Sequence, residues 1–192
     1  MSAFGEDLKR WLDRGRRPQG AEPSSEHLRL RDAIGLFWRN PAVWATGIYR
    51  LSNWCKRRGI RGLPLFLQHL NLLLFGIEIG CGVPIGPGLY IAHPFGSVII
   101  AQRIGANASF IHAVTVGMRS TWEFPVIGDG VFVGAGARIL GGIRLGNDCT
   151  IGANAVVIDD VPAGATAVGV PAHIIHAETR QSKVRYAGGG PR

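Results

Sequence analysis

An apolar residue recurs every six positions through most of the second half of the chain. Ile79, Ile85 and Ile91 each open a hexad, and Val98, Ile104, Phe110 and Val116 continue the series. After an irregular stretch it resumes at Ile127 and runs through Val133, Ile139, Leu145 and Ile151 to Val157. The residue after the leader is often glycine, as at Gly80, Gly105, Gly128 and Gly146. Four places after the leader stands a small or apolar residue, such as Val83, Leu89, Ala108, Ala137 or Cys149. A repeat of this kind is the signature of a parallel β-helix. Each hexad is one short strand and one corner, and three hexads, about 18 residues, close a triangular coil. The leader points inward and fills the prism. Glycine and asparagine serve the corners, where φ turns positive.

The register breaks twice. Between Ile91 and Val98 the step is seven residues, and the extra one falls in His93-Pro94-Phe95-Gly96. Between Val116 and Ile127 the hexads fail, so 118–125 is expected to bulge as a loop bearing Arg119, Trp122, Glu123 and Phe124. Loops on a rigid scaffold commonly bear binding residues. Phe110 leads its hexad as Ile91 leads that of His93. His93 and His112 therefore each stand two places after a leader, one coil and one inserted residue apart. They are predicted to lie on one edge of the prism, in neighbouring coils.

Ahead of the prism, residues 1–25 read as a flexible leader: a short amphipathic piece over 4–12, then a run rich in Arg, Pro, Gly and Ser. Residues 26–76 read as a helical cap region. Leu30, Ile34 and Phe37 follow helical spacing until Asn40-Pro41 breaks it. A second helix holds Val43, Ile48, Leu51 and Trp54, and Pro64 opens a third over 65–75. That third segment is the most apolar in the chain, yet it falls short of a membrane span and is interrupted by Gln68, His69 and Asn71. A buried helix capping the prism is the expectation, with His69 in a structural role. A membrane-surface contact is the alternative, because Lys56, Arg57 and Arg58 lie beside it. The prism is expected over 77–176, and 177–192 reads as a flexible tail.

The chain has 192 residues, suited to one domain with appendages, and a net charge of +8. A basic balance suits an anionic partner. Much of the excess lies near the ends, where solvated charge is the plainer reading, and no aromatic-basic nucleic-acid motif appears. Cys55, Cys81 and Cys149 are scattered and form no C-x-x-C, which fits a reducing compartment. The N-terminus is charged and lacks an apolar stretch of the secretory kind. A cytoplasmic protein, free or at the membrane surface, is the expectation.

The segments GIEIGCGVPIGPGLYIAHPFGSVII, VTVG, VIGDGVFVGAGARILGGIRLGNDCTIGANAVVI and VGVPA resemble the serine acetyltransferase branch of the hexapeptide-repeat acyltransferases. The resemblance implies a mainly β fold with an α-helical N-terminal cap, and a left-handed parallel β-helix of about five coils. It implies acetyl-CoA as co-substrate, no resident metal, a hydroxyl-bearing acceptor, and a homotrimer with its active site between neighbours.

His93, in IAHPFG, matches the family's histidine segment, which implies a general base. An alcohol is a weak nucleophile at neutral pH, and an imidazole can take its proton and later yield it. Glu78, fifteen residues earlier, stands where the family carries an Asp that orients the histidine. An ordinary charged edge residue is the plain alternative. His112 lines the acceptor pocket, acts as a second base, or simply serves a corner. Gly117, Ala135, Gly136 and Ala153 match positions where the pantetheine arm of coenzyme A lies close to backbone, although β-helix corners prefer the same small residues. Arg138 and Arg144 are available to the cofactor phosphates, with nothing to assign either.

The chain also departs from the family. Ala92 replaces an Asp before the histidine, Asn40 replaces an Asp in RNPA, and Glu123-Phe124-Pro125 replaces Arg-His-Pro. The groups that would meet an amino-acid zwitterion are thus absent or reversed in charge. Ala92, His112, Trp122, Glu123 and Phe124 make up the expected acceptor pocket, and the pattern resembles the branch that acetylates sugars or polysaccharides. The expected function is acetyl-CoA-dependent O-acetylation. One alternative is a true serine acetyltransferase. Another resembles the carbonic anhydrases of this fold, which hold zinc by histidines; it would need a third ligand beyond His93 and His112, with only His173 and His176 later in the chain. A non-catalytic scaffold is the last.

Overall fold

Residues 2–12, 35 and 38–175 are described in a computed structural model. Helices α1 (Ala3–Leu12), α2 (Pro41–Arg57) and α3 (Leu63–Phe75) precede a triangular stack of short strands. The first sheet holds β1 (Ile77–Ile79), β3 (Ser97–Ile99), β6 (Thr115–Gly117), β9 (Arg138–Leu140) and β12 (Val156–Val157). The second holds β4 (Arg103–Ile104), β7 (Val126–Ile127) and β10 (Arg144–Leu145). The third holds β2 (Tyr90–Ile91), β5 (Ser109–Phe110), β8 (Phe132–Val133), β11 (Thr150–Ile151), β13 (Thr166–Val168) and β14 (His173–Ile175). Pairing is parallel throughout, except that β14 runs antiparallel to β13.

The hexad leaders fill the prism. Ile79, Ile99, Val116, Ile139 and Val157 stack in one inward column of the first sheet, and all are buried. The places four beyond the leaders, such as Val83, Leu89 and Ala108, are buried too. Neighbouring coils lie so close at the corners that some positions admit only glycine. A Cβ on Gly86 would stand 2.5 Å from the backbone nitrogen of Ala106, and one on Gly146 would stand 2.4 Å from that of Ala163.

One leader is not the residue the spacing predicts. Ile99, not Val98, points inward; Val98 is half-exposed and pairs with Thr115 on the outer face. The corner after Ile91 is therefore one residue wider than expected, and the step to Ile104 is one shorter. The coil length, and with it the His93–His112 relation, is unchanged. Two adjacent β-branched apolar residues give no hint of which faces in. The strand alternation Ser97 in, Val98 out, Ile99 in decides it.

The N-terminal end of the prism is closed by α2 and α3 together. Ala45 and Tyr49 of α2 join the prism core, and Phe75 of α3 packs against it. The Tyr49 hydroxyl donates to the Val83 carbonyl at 2.6 Å, and burial pushes its pKa up to about 12. α3 turns Pro64, Leu67 and Asn71 inward, and Asn71 Nδ2 donates to the Ala45 carbonyl at 3.0 Å. Its other face is exposed, so α3 caps the prism as expected but is not the buried helix its apolarity suggests.

The leader is also more ordered than expected over 3–12. Asp7, Leu8, Arg10 and Trp11 of α1 are buried. The Asp7 carboxylate accepts two bonds from Arg50, Nε to Oδ2 at 2.7 Å and Nη2 to Oδ1 at 2.9 Å, and a third from the Leu89 backbone N–H at 2.7 Å. Arg50 also donates to the carbonyls of Ile85 and Gly86. Burial is the largest influence on the Asp7 carboxyl and lifts its pKa, while Arg50 and the Leu89 N–H pull it down. Arg10 Nη2 donates to Ser109 Oγ at 2.7 Å, and the Trp11 and Tyr90 rings lie 4.6 Å apart. α1 is thus fastened to the outer face of the third sheet. The expected helix around Leu30, Ile34 and Phe37, the rest of the leader and the tail lie outside the described residues.

Candidate active site

The edge where the third sheet turns into the first carries a column of corner residues. His93 follows β2, His112 follows β5, Ala135 follows β8 and Ala153 follows β11. Each stands two places past an inward leader, and the leaders Ile91, Phe110, Val133 and Ile151 are in register. Backbone bonds tie the column together. His93 N donates to Ile111 O at 2.9 Å, Gly136 N to His112 O at 2.8 Å, and Asn154 N to Ala135 O at 2.8 Å. The two imidazoles are exposed, with ring centroids 6.4 Å apart and planes at 81°.

The corner of His93 is shaped by its neighbours. Gly96 N donates to the Gly76 carbonyl at 2.8 Å. The Phe95 ring lies where a side chain on Gly76 would be, 2.7 Å from an ideal Cβ, so Gly76 has to be glycine for this packing. Ala92 is half-buried beneath the histidine, its N–H donating to the Phe110 carbonyl at 2.9 Å. In the next coil Arg138 Nη1 donates to the carbonyl of Ala113, a residue with φ of 50°. Arg138, considered from the sequence only for cofactor phosphates, thus holds the corner that presents His112.

Glu78 sits in the middle of β1 and points away from the core. Its Oε1 accepts from Gln68 Nε2 at 2.9 Å, and Gln68 Oε1 in turn accepts from the Cys81 N–H at 2.8 Å. No hydrogen bond or ion pair joins Glu78 to His93 among the described residues. Gln68 is a partner that the sequence reading missed. A Gln among the leucines of an apolar helix, ten residues before Glu78, was the only signal for it.

The four small residues differ in what the fold asks of them. A Cβ on Gly136 (φ 72°) would collide with Asn154 Oδ1, so this glycine is required by the corner itself. Gly117, at the end of β6, has nothing within 4 Å of an ideal Cβ, so it leaves an open strip on the outer face of the first sheet. Ala135 is half-buried and Ala153 exposed.

The expected acceptor pocket is divided. Ala92 and His112 lie at the histidine edge, but 118–125 bulges from the edge between the first and second sheets. Trp122, Glu123 and Phe124 line a cleft of about 380 Å³ there with Gln102, Gly142 and Arg144. Glu123 Oε2 accepts from Thr121 Oγ1 at 3.0 Å. Trp122 and Phe124 lie 6.3 Å apart, and Trp122 is 83% exposed. Among the described residues no three His, Cys, Asp or Glu side chains gather in a way that would hold a metal. His173 lies in β14 opposite Val168, and His176 is outside the described residues.

The chain is similar in sequence and in fold to known proteins. Residues 124–159 match the family model for the bacterial transferase hexapeptide (six repeats). The chain is 41% identical over 139 residues to the serine acetyltransferase of Helicobacter pylori (strain J99), covering 70% of this chain and 81% of that one. The chain belongs to the serine acetyltransferase family. It is also 38% identical over 147 residues to the serine acetyltransferase of Mycobacterium tuberculosis, covering 74% of this chain but only 64% of that one. A solved serine acetyltransferase in complex with CoA superposes with a TM-score of 0.75 at 30% identity, covering 90% of this chain and 68% of that chain. Membership makes the prism the left-handed parallel β-helix of serine acetyltransferases, with helices ahead of it.

Proposed function

We propose that this chain transfers the acetyl group of acetyl-CoA to a hydroxyl of an acceptor, with His93 as general base. The single observation that carries this reading is the edge column. It sets an exposed imidazole directly above a second one, and above corner residues small enough for a pantetheine arm to pass. The acceptor O–H gives its proton to His93 as its oxygen attacks the thioester carbonyl. Backbone N–H groups stabilise the oxyanion. The C–S bond then breaks, and the coenzyme A thiolate takes the proton back from the imidazolium. Glu78 supports His93 in this scheme, with Gln68 as the group that releases or shares it.

The acceptor is a neutral hydroxyl of a sugar or glycan. An unmet charge in a partly dry site costs several kcal/mol. Where an amino acid would need partners, this chain has Ala92, Asn40 and Glu123. Trp122 and Phe124 offer flat apolar faces that suit a sugar ring. The family relationship favours L-serine as the second reading. Release of coenzyme A thiol, measured against serine, homoserine, amino sugars and oligosaccharides, separates the two. A kcat/KM for L-serine above about 10⁴ M⁻¹s⁻¹, ordinary for a physiological substrate, would sink the glycan reading.

The working form in this reading is a homotrimer in the cytoplasm. A threefold assembly sets the exposed loop 118–125 of one copy against the histidine edge of the next, which reunites the divided acceptor pocket. Trp122 is then covered. Sedimentation at micromolar concentration showing a monomer rules this out.

A further inference from the structure

We propose that the exposed face of α3 and the basic turn before it dock on an anionic membrane surface. The α3 helix has two unlike sides. Pro64, Leu67 and Asn71 face the protein. On the opposite side Leu65, Phe66, Leu72 and Leu73 are exposed, Phe66 by 61% and Leu73 by 81%. Helical spacing puts these four on one stripe, with His69 as the titratable group among them. A stripe of large apolar side chains on one helix face is the mark of an interaction site, not of scattered surface residues.

The residues that lead into α3 carry the charge. Lys56, Arg57, Arg58 and Arg61 are all exposed. The Arg58 guanidinium lies 5.1 Å from the centroid of the Trp54 ring. No Asp or Glu occurs between Asp32 and Glu78. The surface is therefore apolar in the middle and cationic at the end where Arg58 and Arg61 precede α3, while Lys56 and Arg57 also line the cleft that Asp129 borders on the prism. The charge favours one of two occupants. A second copy placed face to face across a twofold axis brings the same cationic cluster against itself or leaves it unanswered. Anionic headgroups neutralise it while the leucines enter the acyl boundary.

The helix lies on the bilayer and does not cross it. Thirteen residues make a helix about 20 Å long, against a hydrocarbon core of about 30 Å. No helix among the described residues is long and apolar enough to span.

Flotation of the full chain with vesicles of phosphatidylcholine alone, and with about a third phosphatidylglycerol, tests the proposal. At an ionic strength of about 0.1 M the expected result is at least about tenfold stronger partition onto the anionic vesicles, weakened by added salt. The double variant Phe66→Ser, Leu73→Ser is expected to abolish flotation. The triple variant Lys56→Gln, Arg57→Gln, Arg58→Gln is expected to lower it about tenfold or more. All these positions are exposed, and an unchanged melting temperature confirms that each variant is folded. Equal partition onto both vesicle types, or none onto the anionic ones, overturns the proposal. So does loss of a larger oligomer in the Phe66→Ser, Leu73→Ser variant without any vesicle binding by the parent, which would assign the face to a second copy.

Discussion

The rings of His93 and His112 meet edge to face across one coil of the prism, 6.4 Å between centroids and 81° between planes. Adjacent strands of a sheet lie about 4.8 Å apart, so two side chains at equivalent corners of neighbouring coils cannot avoid each other. Both rings are exposed, so neither is a core histidine. The pair therefore presents two imidazoles to one small volume outside the prism, and the variants below distinguish their roles.

His93→Ala is expected to lower turnover by about 10²–10⁴ with the fold intact, as for a lost general base. Thiol release from acetyl-CoA and circular dichroism on the same preparation check it. Near-normal turnover in the folded variant removes His93 from the mechanism.

His112→Ala is expected to raise KM for the acceptor about tenfold and to leave kcat within about threefold, as for a group that binds ground state and transition state alike. His112→Gln keeps a polar side chain and should restore most of the loss. A fall in kcat as large as that of His93→Ala would make His112 a second base instead.

Asp7→Ala should destabilise the protein by about 3–5 kcal/mol. It leaves Arg50 charged and largely buried, with the carbonyls of Ile85 and Gly86 and the face of the Tyr49 ring but no anion beside it. Trypsin is expected to reach Lys9 and Arg10 faster in this variant, because α1 has lost its clamp on Leu89. Identical denaturation midpoints and cleavage rates for parent and variant would show that the clamp does not hold α1.

Burial pushes the Cys149 thiol from 9.0 up to about 12, and the Tyr49 phenol from 10.0 to about 12. Both groups are raised in the folded state, so each contributes stability that is full below its unfolded value. That contribution is lost as pH rises through about 12. A thiol reagent at pH 8 should label half-buried Cys81 first and leave Cys149 untouched until the protein unfolds. Labelling of Cys149 at the rate of Cys81 in native protein contradicts this.

The histidine edge was legible because a hexad repeat converts position into geometry. Two residues past a leader is one place on the triangle, whatever the coil. The repeat does not say which of two adjacent β-branched residues faces in, so the spacing points to Val98 where Ile99 fills the core. α1 showed in outline, since Phe4, Leu8 and Trp11 follow helical spacing. Its order rests on Asp7 meeting Leu89, 82 residues away, and no local pattern reports that contact. Gln68 beside Glu78 was hidden for the same reason. The helix that bears it packs by way of Asn71 and Leu67, and only that packing brings the amide over β1.

A parallel β-helix has no inherent length, because every finished coil offers the next one an identical edge. In this chain β14 turns back against β13, with Thr166 opposite Ile175 and Val168 opposite His173. The edge it presents has the wrong polarity for another coil, whether of this molecule or of its neighbour. Shortening the chain to end before His173 should therefore give a protein that stacks end to end, seen as light scattering that climbs with concentration. Scattering like that of the parent would show that some other group stops the stack. On the third sheet the end of the stack is thus written in three exposed residues of reversed direction, and not in the repeat that builds it.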